Sequence, residues 1–424
     1  MQTENGKAPI SRRPAYFLLA LTPILAVLLP WDFGPVQTTY RIVVADYSLT
    51  APIIQLLVYS SIMRRNKLTL FKLNWFSSGD KIAALILGLC VAYTSFFIQI
   101  FSFAAVVGLL IFYIHIIFSL AIYQDIPTRE NRDLENFWIA LGLATFVYAL
   151  LWVCGYIAYP PAPDDWTRNV PGVTNVRWTG FFWLATFAAG LAIAGRSEKP
   201  IRILAIIFGI FGLTLAIWTG SRGALLAIIG SAAGLLVFAP RFRKISLRYI
   251  AITFTLSVSL SAVLPVPIPQ YGLARILGYA QSMDEFKRGD SGRIEIWKST
   301  MKLVKNQPLA GHGIDQFQRM GPEKTLGFKG PHSWPMQVLF SIGFLGAGVL
   351  IYGAIRFLLL FQMQVEHPHQ LAALAYFSGG SVYMLYDNFL YYTFPITIYT
   401  VSALMIFRLR SNVAVKTAAI PATG

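Results

Sequence analysis

Long apolar runs separated by short polar segments dominate the chain, and their lengths predict helices that cross a membrane. The runs lie at 15–30, 44–63, 82–100, 102–123, 136–158, 180–195, 202–218, 223–239, 247–265, 335–355, 371–386 and 394–408. Several are shorter than the roughly 20 residues that the apolar core of a bilayer requires, so we expect some helices to extend further. Residues 82–123 carry no charge and are too long for one span, and Thr94, Ser95 and Gln99 indicate a tight helical hairpin there. The pattern predicts an all-α polytopic membrane protein with about twelve transmembrane helices.

Composition supports this fold class. Hydrophobic residues make up 56% of the chain and charged residues 13%, whereas soluble domains have roughly 45–50% and 25%. The polar surface is too small to cover a soluble globule or a disordered chain, so both classes are excluded. The two cysteines, Cys90 and Cys154, lie inside apolar runs and provide neither a disulfide framework nor a zinc ligand set.

The net charge of +16 is explained by the side of the membrane on which the basic residues fall. With the N-terminus in the cytoplasm, 21 of the 35 Lys and Arg residues lie in inner segments. The short outer loops contain only Arg41, Arg168, Arg177 and Arg222. This is the excess of positive charge that short cytoplasmic loops carry. We therefore expect both termini to be cytoplasmic, and we expect a lipid bilayer rather than nucleic acid as the partner of this basic chain.

One long outer segment, at 266–334, interrupts the rhythm of spans and loops. It separates a region of nine predicted helices, 1–265, from a region of three helices and a cytoplasmic tail, 335–424. Within it, SGRIEIWKSTMKLVKNQP predicts an amphipathic helix that Asp290 or Ser291 can cap and that Pro308 ends. Its apolar side is formed by Ile294, Trp297, Met301 and Val304, and its basic side mostly by Lys298, Lys302 and Lys305.

Arg222, in TGSRGALLA, is a candidate anion-binding residue between two predicted spans at the outer face. Gly220 and Gly223 leave the backbone accessible, and the N-terminus of the following helix also favours negative charge. The guanidinium fork suits phosphate oxygens. The alternative interpretation is an arginine that extends to lipid headgroups.

Three further residues are candidates at the same face. His332, in GPHSWPMQVL where the long segment returns to the membrane, can exchange protons near neutral pH or bind a phosphate as a cation; a structural interfacial histidine is the alternative. Arg293 begins the amphipathic helix and can point to the same cavity or into solvent. Asp387, in YMLYDNFLYYTF, can orient His332 or an arginine, or cap the last helix. The rings around it suit either a headgroup belt, which is the default interpretation, or a sugar-binding wall; they are Tyr383, Tyr386, Tyr391 and Tyr392.

No metal or cofactor is expected. The chain has no P-loop and no acidic metal motif on the outer face, and Asp284, Glu285 and Asp290 are only a weak calcium candidate. The other histidines are weaker candidates: His115 is interpreted as a packing residue, His312 as an exposed turn residue, and His367 with His369 as a poor metal pair. This arrangement suits a diphosphate bound by protein cations alone.

Three motifs carry a family resemblance: TGSRGA, PLAGHGIDQF after the amphipathic helix, and PHSWPMQVLFSIGFLG entering a span. In this order and at these positions, over about 219–346, the chain resembles the O-antigen ligase and polymerase family of bacterial envelope proteins. The resemblance implies a GT-C-type glycosyltransferase with its active site on the periplasmic face of the inner membrane. Such enzymes move a glycan from undecaprenyl diphosphate, and in the ligases the acceptor is lipid A–core oligosaccharide.

The resemblance also implies residue roles. Arg222, Arg293 and His332 match the family's functional arginines and histidine, whereas Asp387 has no distinct motif around it. The family's ligases are regarded as metal-independent and inverting, in lipopolysaccharide biosynthesis. Arg222 and Arg293 are then expected to bind the diphosphate, with Asp387 assisting at the substrate site, and His332 to act as a general base or a phosphate ligand.

Three other functions remain open on the sequence. An O-antigen polymerase would use a second lipid-linked glycan as acceptor, and the single large outer loop favours the ligase over it. A protein O-oligosaccharyltransferase would glycosylate a polypeptide. A transporter of anionic lipids or ions would show Gly- or Pro-broken helices in two related halves, and the sequence shows no such internal match.

Overall fold

The computed structural model describes residues 14–28, 50–66, 77–96, 103–158, 179–195, 199–266, 272–276, 292–313, 316–328, 330–387 and 393–409. Its α-helices are α1 Pro14–Ala20, α2 Thr22–Leu28, α3 Thr50–Asn66, α4 Ser78–Phe96, α5 Phe103–Asp125, α6 Asn131–Ala158, α7 Gly180–Ala194, α8 Lys199–Trp218, α9 Arg222–Phe238, α10 Arg243–Val263, α11 Gly272–Ile276, α12 Arg293–Asn306, α13 Pro322–Thr325, α14 Trp334–Leu360, α15 Pro368–Tyr386 and α16 Thr393–Ile406. Short 3₁₀ helices lie at Ile126–Thr128, Pro240–Phe242 and Phe317–Met320.

Where the structure describes the twelve apolar runs, each contains helix. The first predicted span is divided into α1 and α2, and the long uncharged stretch is divided into α4 and α5. Thr94 and Ser95 still belong to α4, whereas Gln99 lies outside the described residues. The protein is therefore a helical membrane protein, as its apolar helices indicate.

Four of the described helices are long and apolar enough to cross a membrane: Leu110–Thr128, Asn131–Cys154, Pro240–Val263 and Trp334–Leu360. Shorter apolar helices lie at Gly180–Ala194, Arg202–Trp218, Arg222–Phe238 and Thr393–Ile406. The count of twelve spans and the GT-C architecture stay predictions.

A small antiparallel ladder joins the ends of α14 and α16. Strand β1, Phe361–Met363, follows α14 directly, and β2, Phe407–Leu409, follows α16. Phe361 pairs with Leu409 and Met363 with Phe407. The ladder holds these two helix ends together at the side of the molecule that the charge pattern predicts to be cytoplasmic.

Helix α7 forms the centre of the core. Every residue from Gly180 to Ile193 is buried, and the helix packs against α6, α8 and α15. Small residues permit these close approaches. A β-carbon placed at Gly212 of α8 would come within 2.7 Å of the Trp183 carbonyl oxygen, and one at Gly190 would overlap the Tyr249 hydroxyl.

Helices α9 and α15 pack closely in an antiparallel pair. A β-carbon at Gly230 would come within 2.5 Å of the Val382 side chain. The next residue, Ser231, donates a hydrogen bond of 2.6 Å from its hydroxyl to the Ala375 carbonyl. This pairing brings the N-terminus of α9, where Arg222 lies, to the same end of the molecule as the C-terminus of α15, where Asp387 follows.

Helix α14 is broken at Gly343, whose φ of 62° and ψ of −168° are not helical. The backbone groups freed by the break are bonded to the segment 308–313, which we call the clasp. Phe344 N–H donates to the Pro308 carbonyl (2.7 Å), and Gly313 N–H donates to the Ser341 carbonyl (2.9 Å). Non-helical backbone at membrane depth needs such internal partners.

The contact between the clasp and α14 requires a glycine in each of the two segments. Gly311 has a φ of 74°, and a β-carbon there would come within 2.5 Å of the Gly343 nitrogen. At Gly343 a β-carbon would overlap the Leu309 carbonyl. The motifs PLAGHG and SIGFLG, which are separated along the chain, are therefore two halves of one structural contact.

The amphipathic helix α12 packs on the first part of α14, and its buried face differs from the predicted one. Ile296, Thr300, Leu303 and Val304 are buried, whereas Ile294, predicted on the apolar side, is 49% exposed. The predicted basic side is correct, because Lys298, Lys302 and Lys305 are exposed. The helix begins after Gly292, and the predicted caps Asp290 and Ser291 lie outside the described residues.

Candidate functional site

Arg222 is the first residue of α9, directly after a tight turn. Gly220 has a φ of 60°, and Ser221 N–H donates to the Ala216 carbonyl at 3.2 Å to close the end of α8. This is the helix-ending motif that favours glycine. The Ser221 hydroxyl then caps α9 by accepting from Ala224 N–H. TGSRG thus ends one helix and begins the next, with a partly buried Arg222 at the new N-terminus.

Tyr383 connects this helix start to Asp387. A β-carbon at Gly223 would lie 3.6 Å from the Tyr383 ring, and the Tyr383 carbonyl accepts from Asp387 N–H at 3.0 Å. Tyr383 is only 2% exposed, so its interpretation as a headgroup-belt residue is wrong. Its position one turn before Asp387, which directly follows α15, is the signal that could have placed it here.

His332, just before α14, and Asp387, just after α15, have side chains that face each other. The His332 Nδ1 atom lies 3.7 Å from the Asp387 Oδ1 atom, and the side chains are 33% and 10% exposed. The structure thus brings together the two residues for which the sequence suggested an orienting contact. This distance is longer than a hydrogen bond.

The backbone of His332 is unusual. Its φ is 49°, in the left-handed region that residues with a side chain rarely adopt. Pro331 before it and Ser333 after it are buried, and Ser333 accepts from Gln337 N–H at 2.9 Å to start α14. Strain of this kind persists only where the surroundings enforce it, and it is frequent at functional sites.

The start of α12, where Arg293 is the first residue, lies near His332 through Phe328. A β-carbon at Gly292, directly before Arg293, would lie 3.5 Å from the Phe328 ring. That ring meets the His332 ring edge-on, with centroids 5.8 Å apart. The start of α12 and the return of the chain at His332 are therefore neighbours, joined by an aromatic residue that the sequence did not single out.

The structure thus places Gly223 and Gly292, the neighbours of Arg222 and Arg293, in one series of close approaches with Asp387 and His332. From the start of α9 the series runs through Tyr383, Asp387, His332 and Phe328 to the start of α12. Two helix N-termini, each beginning with an arginine, border a histidine backed by a carboxylate. Such an arrangement can bind anionic oxygens and accept or hold a proton.

The remaining histidines have structural contacts. His312 was predicted to be an exposed turn residue, but it is buried: its Nε2 lies 2.7 Å from the Leu303 carbonyl and its ring stacks on Phe340. The prediction is wrong because the clasp carries His312 under α12. His115 contacts Gln55 at 2.9 Å and Thr400 at 3.1 Å, as a packing residue should. His367 and His369 stack on each other at the start of α15.

Within the described ranges, no group of three or more His, Cys, Asp or Glu side chains could hold a metal ion. The weak calcium candidate of Asp284, Glu285 and Asp290 lies outside those ranges.

A family match is found by comparison with known proteins. Residues 204–351 match the model of the family described as O-antigen ligase. This segment contains Arg222, Arg293, His332 and the clasp, and it ends before Asp387. A search of curated proteins finds no match to the chain. This match covers about a third of a chain of apolar membrane helices; it supports assignment to the O-antigen ligase family and points to a membrane glycosyltransferase-like enzyme.

Proposed function

We propose that the protein is an O-antigen ligase that transfers a polysaccharide from undecaprenyl diphosphate to lipid A–core oligosaccharide. The reaction takes place on the periplasmic face of the bacterial inner membrane, during lipopolysaccharide biosynthesis. The observation that carries the proposal is the His332–Asp387 pair, joined by contacts to the starts of α9 and α12 inside and beside the family-matched segment.

In this proposal the two arginines bind the donor. Arg222 lies at the N-terminus of α9, where the backbone N–H groups and the helix dipole also favour an anion. Arg293 supplies a second cation from the start of α12. As the glycan leaves, negative charge builds on the diphosphate, and preorganised cations stabilise that charge. Asp387 assists at the same site through His332.

The proposed chemical step needs no group beyond donor, acceptor and protein. The acceptor hydroxyl oxygen attacks the anomeric carbon from the side opposite the diphosphate, and the bond from this carbon to the diphosphate oxygen breaks. The configuration therefore inverts. The hydroxyl proton moves to His332, and undecaprenyl diphosphate leaves with the electron pair. Since Nδ1 faces Asp387, Nε2 is the nitrogen that accepts the proton, and the carboxylate stabilises the resulting imidazolium.

A substitution separates this role from phosphate binding. His332→Arg restores a permanent cation but cannot accept a proton, so we expect it to be as inactive as His332→Ala. Transfer by His332→Arg near the wild-type rate would instead identify His332 as a phosphate ligand.

The function is tested with purified protein, a lipid-diphosphate glycan donor and separate acceptors. We expect glycan on lipid A–core, with release of one undecaprenyl diphosphate per transfer and an inverted anomeric configuration by NMR. Glycan on a second lipid-linked glycan would identify a polymerase, and glycan on a peptide would identify a protein glycosyltransferase. Donor movement across vesicles without transfer to any acceptor would favour the transporter and remove the enzyme proposal.

A further inference from the structure

The left-handed backbone conformation of His332 has to be stabilised by contacts with neighbouring residues. A residue with a β-carbon loses free energy at a φ of 49°, so an unrestrained loop would relax to another conformation and turn the imidazole away from Asp387. On the C-terminal side, the hydrogen bond from Gln337 N–H to the Ser333 carbonyl fixes the chain to the start of α14. A partner on the N-terminal side is also required.

Trp297 supplies that partner. Its indole Nε1–H donates a hydrogen bond of 2.9 Å to the Pro331 carbonyl oxygen. This carbonyl belongs to the peptide group whose nitrogen is that of His332, so the bond fixes the plane from which the φ of His332 is measured. The Pro331 ring restricts the preceding torsion. One indole therefore acts on the torsion that sets the direction of the imidazole.

Trp297 is itself held firmly by its helix. It packs at the edge of a small core in which Ile296, Leu303, Val304, Phe317 and Phe340 are buried. This core rests on α14 beside the clasp. The indole nitrogen is thus presented by a packed helix rather than by a loop, and a packed helix holds a donor in place more precisely.

Arg293 and Trp297 lie one turn apart on the same face of α12. The same helix therefore presents the arginine proposed to bind the donor and the indole that holds the peptide of the proposed base. A displacement of α12 would change both positions together.

We propose that Trp297 is a positioning residue for the transfer reaction, acting through the Pro331 carbonyl to hold His332 in its working orientation toward Asp387. This inference rests on the proposed function of His332. It predicts a loss in turnover without a loss in donor affinity, because the indole acts on the base and not on the diphosphate.

The test compares Trp297→Phe, which keeps an aromatic ring but removes the N–H, with Lys298→Gln at the exposed neighbouring position. We expect kcat of Trp297→Phe to fall roughly ten- to a hundredfold, as misplacement of a reacting group does, with an unchanged KM for the donor and an unchanged melting temperature. Lys298→Gln should match the wild type. If Trp297→Phe does not fold, benzothienylalanine at position 297, which has the indole shape without the N–H, replaces it.

A double variant distinguishes positioning from general packing. In the His332→Ala background, Trp297→Phe should cause no further loss of the residual activity, because the group that it positions is absent. An additive loss would overturn the inference, as would a wild-type kcat in Trp297→Phe while His332→Ala is inactive. Wild-type transfer by His332→Ala would overturn the proposed function together with this inference.

Discussion

Two carboxylates lie beside the opposite ends of α14, and their surroundings differ. Asp80 accepts two hydrogen bonds from Arg356, at 2.9 and 3.0 Å, one from the Tyr352 hydroxyl and two from Ser77. Asp387 instead faces the partly exposed ring of His332 at 3.7 Å. In the first pair, which we call closed, both carboxylate oxygens accept hydrogen bonds. In the second pair, one side of the imidazole ring is accessible to solvent.

The difference separates stability from chemistry. A fully engaged ion pair has no capacity to accept a proton or a ligand without breaking, so the pair at Asp80 ties α4 to α14. A strained histidine beside a carboxylate contributes less to stability and can take part in a reaction. The substitutions that follow test this separation, beginning with the largest expected effect.

His332→Ala removes the proposed base. We expect the rate of glycan transfer to fall by about 10²–10⁴-fold, the usual contribution of a positioned acid or base, while the melting temperature stays the same because alanine keeps the β-carbon and therefore the same backbone strain at φ 49°. Purified protein, assayed with a defined donor and acceptor and by thermal unfolding, gives both values. As a control, His115→Gln changes a histidine in the buried contacts with Gln55 and Thr400 and should leave transfer intact.

Arg222→Ala removes a proposed diphosphate ligand. We expect transfer to fall by roughly 10²–10³-fold, as when one stabiliser of developing charge is lost. Arg222→Lys should recover only part of the rate, because a point charge replaces the fork. Arg241→Gln, at an exposed position after α9, provides the matched loss of one positive charge. Equal activity of Arg222→Ala and Arg241→Gln would remove Arg222 from the site.

Gly343→Ala tests the clasp. The new methyl group would overlap the Leu309 carbonyl, and alanine disfavours a φ of 62°, so we expect the free energy of unfolding to fall by about 2–3 kcal/mol. Gly348→Ala is the control on the same helix, since a β-carbon there meets nothing within 4 Å. A melting temperature for Gly343→Ala equal to that of Gly348→Ala would contradict the structural role of the break.

Asp80→Asn breaks the closed pair. We expect a loss of roughly 2 kcal/mol in the free energy of unfolding, because Arg356 loses a charged partner that lies largely out of water. The transfer rate per folded molecule should stay at the wild-type value. Thermal unfolding together with the transfer assay checks this, and a specific loss of rate would place Asp80 in the reaction after all.

Much of this molecule follows from local sequence, and the rest depends on distant contacts. Apolar runs locate the helices because a bilayer core excludes unpaired backbone groups. Arg222 and His332 can be recognised because each stands beside glycine or proline at the edge of an apolar run. The break at Gly343 is hidden within the apolar sequence SIGFLGAG, because its hydrogen-bond partners come from the clasp, some thirty residues away along the chain.

Two errors have the same origin. His312 looks exposed because it stands between two glycines, yet those glycines allow the clasp to pass under α12 and bury the ring. In α12, periodicity alone placed Ile294 on the apolar side, whereas packing on Phe317 and Phe340 selects a face that begins at Ile296. Local pattern shows that a helix is amphipathic, but the surface beneath it decides which residues are buried.

Asp387, the carboxylate beside the N-terminal end of α14, is proposed to serve the reaction and not the fold. The most direct test of this proposal is Asp387→Asn, the same change that is made above at Asp80. For Asp387→Asn we predict a transfer rate reduced by tenfold or more with an unchanged melting temperature, the reverse of the result for Asp80→Asn. A lowered melting temperature with a wild-type transfer rate per folded molecule would contradict the account.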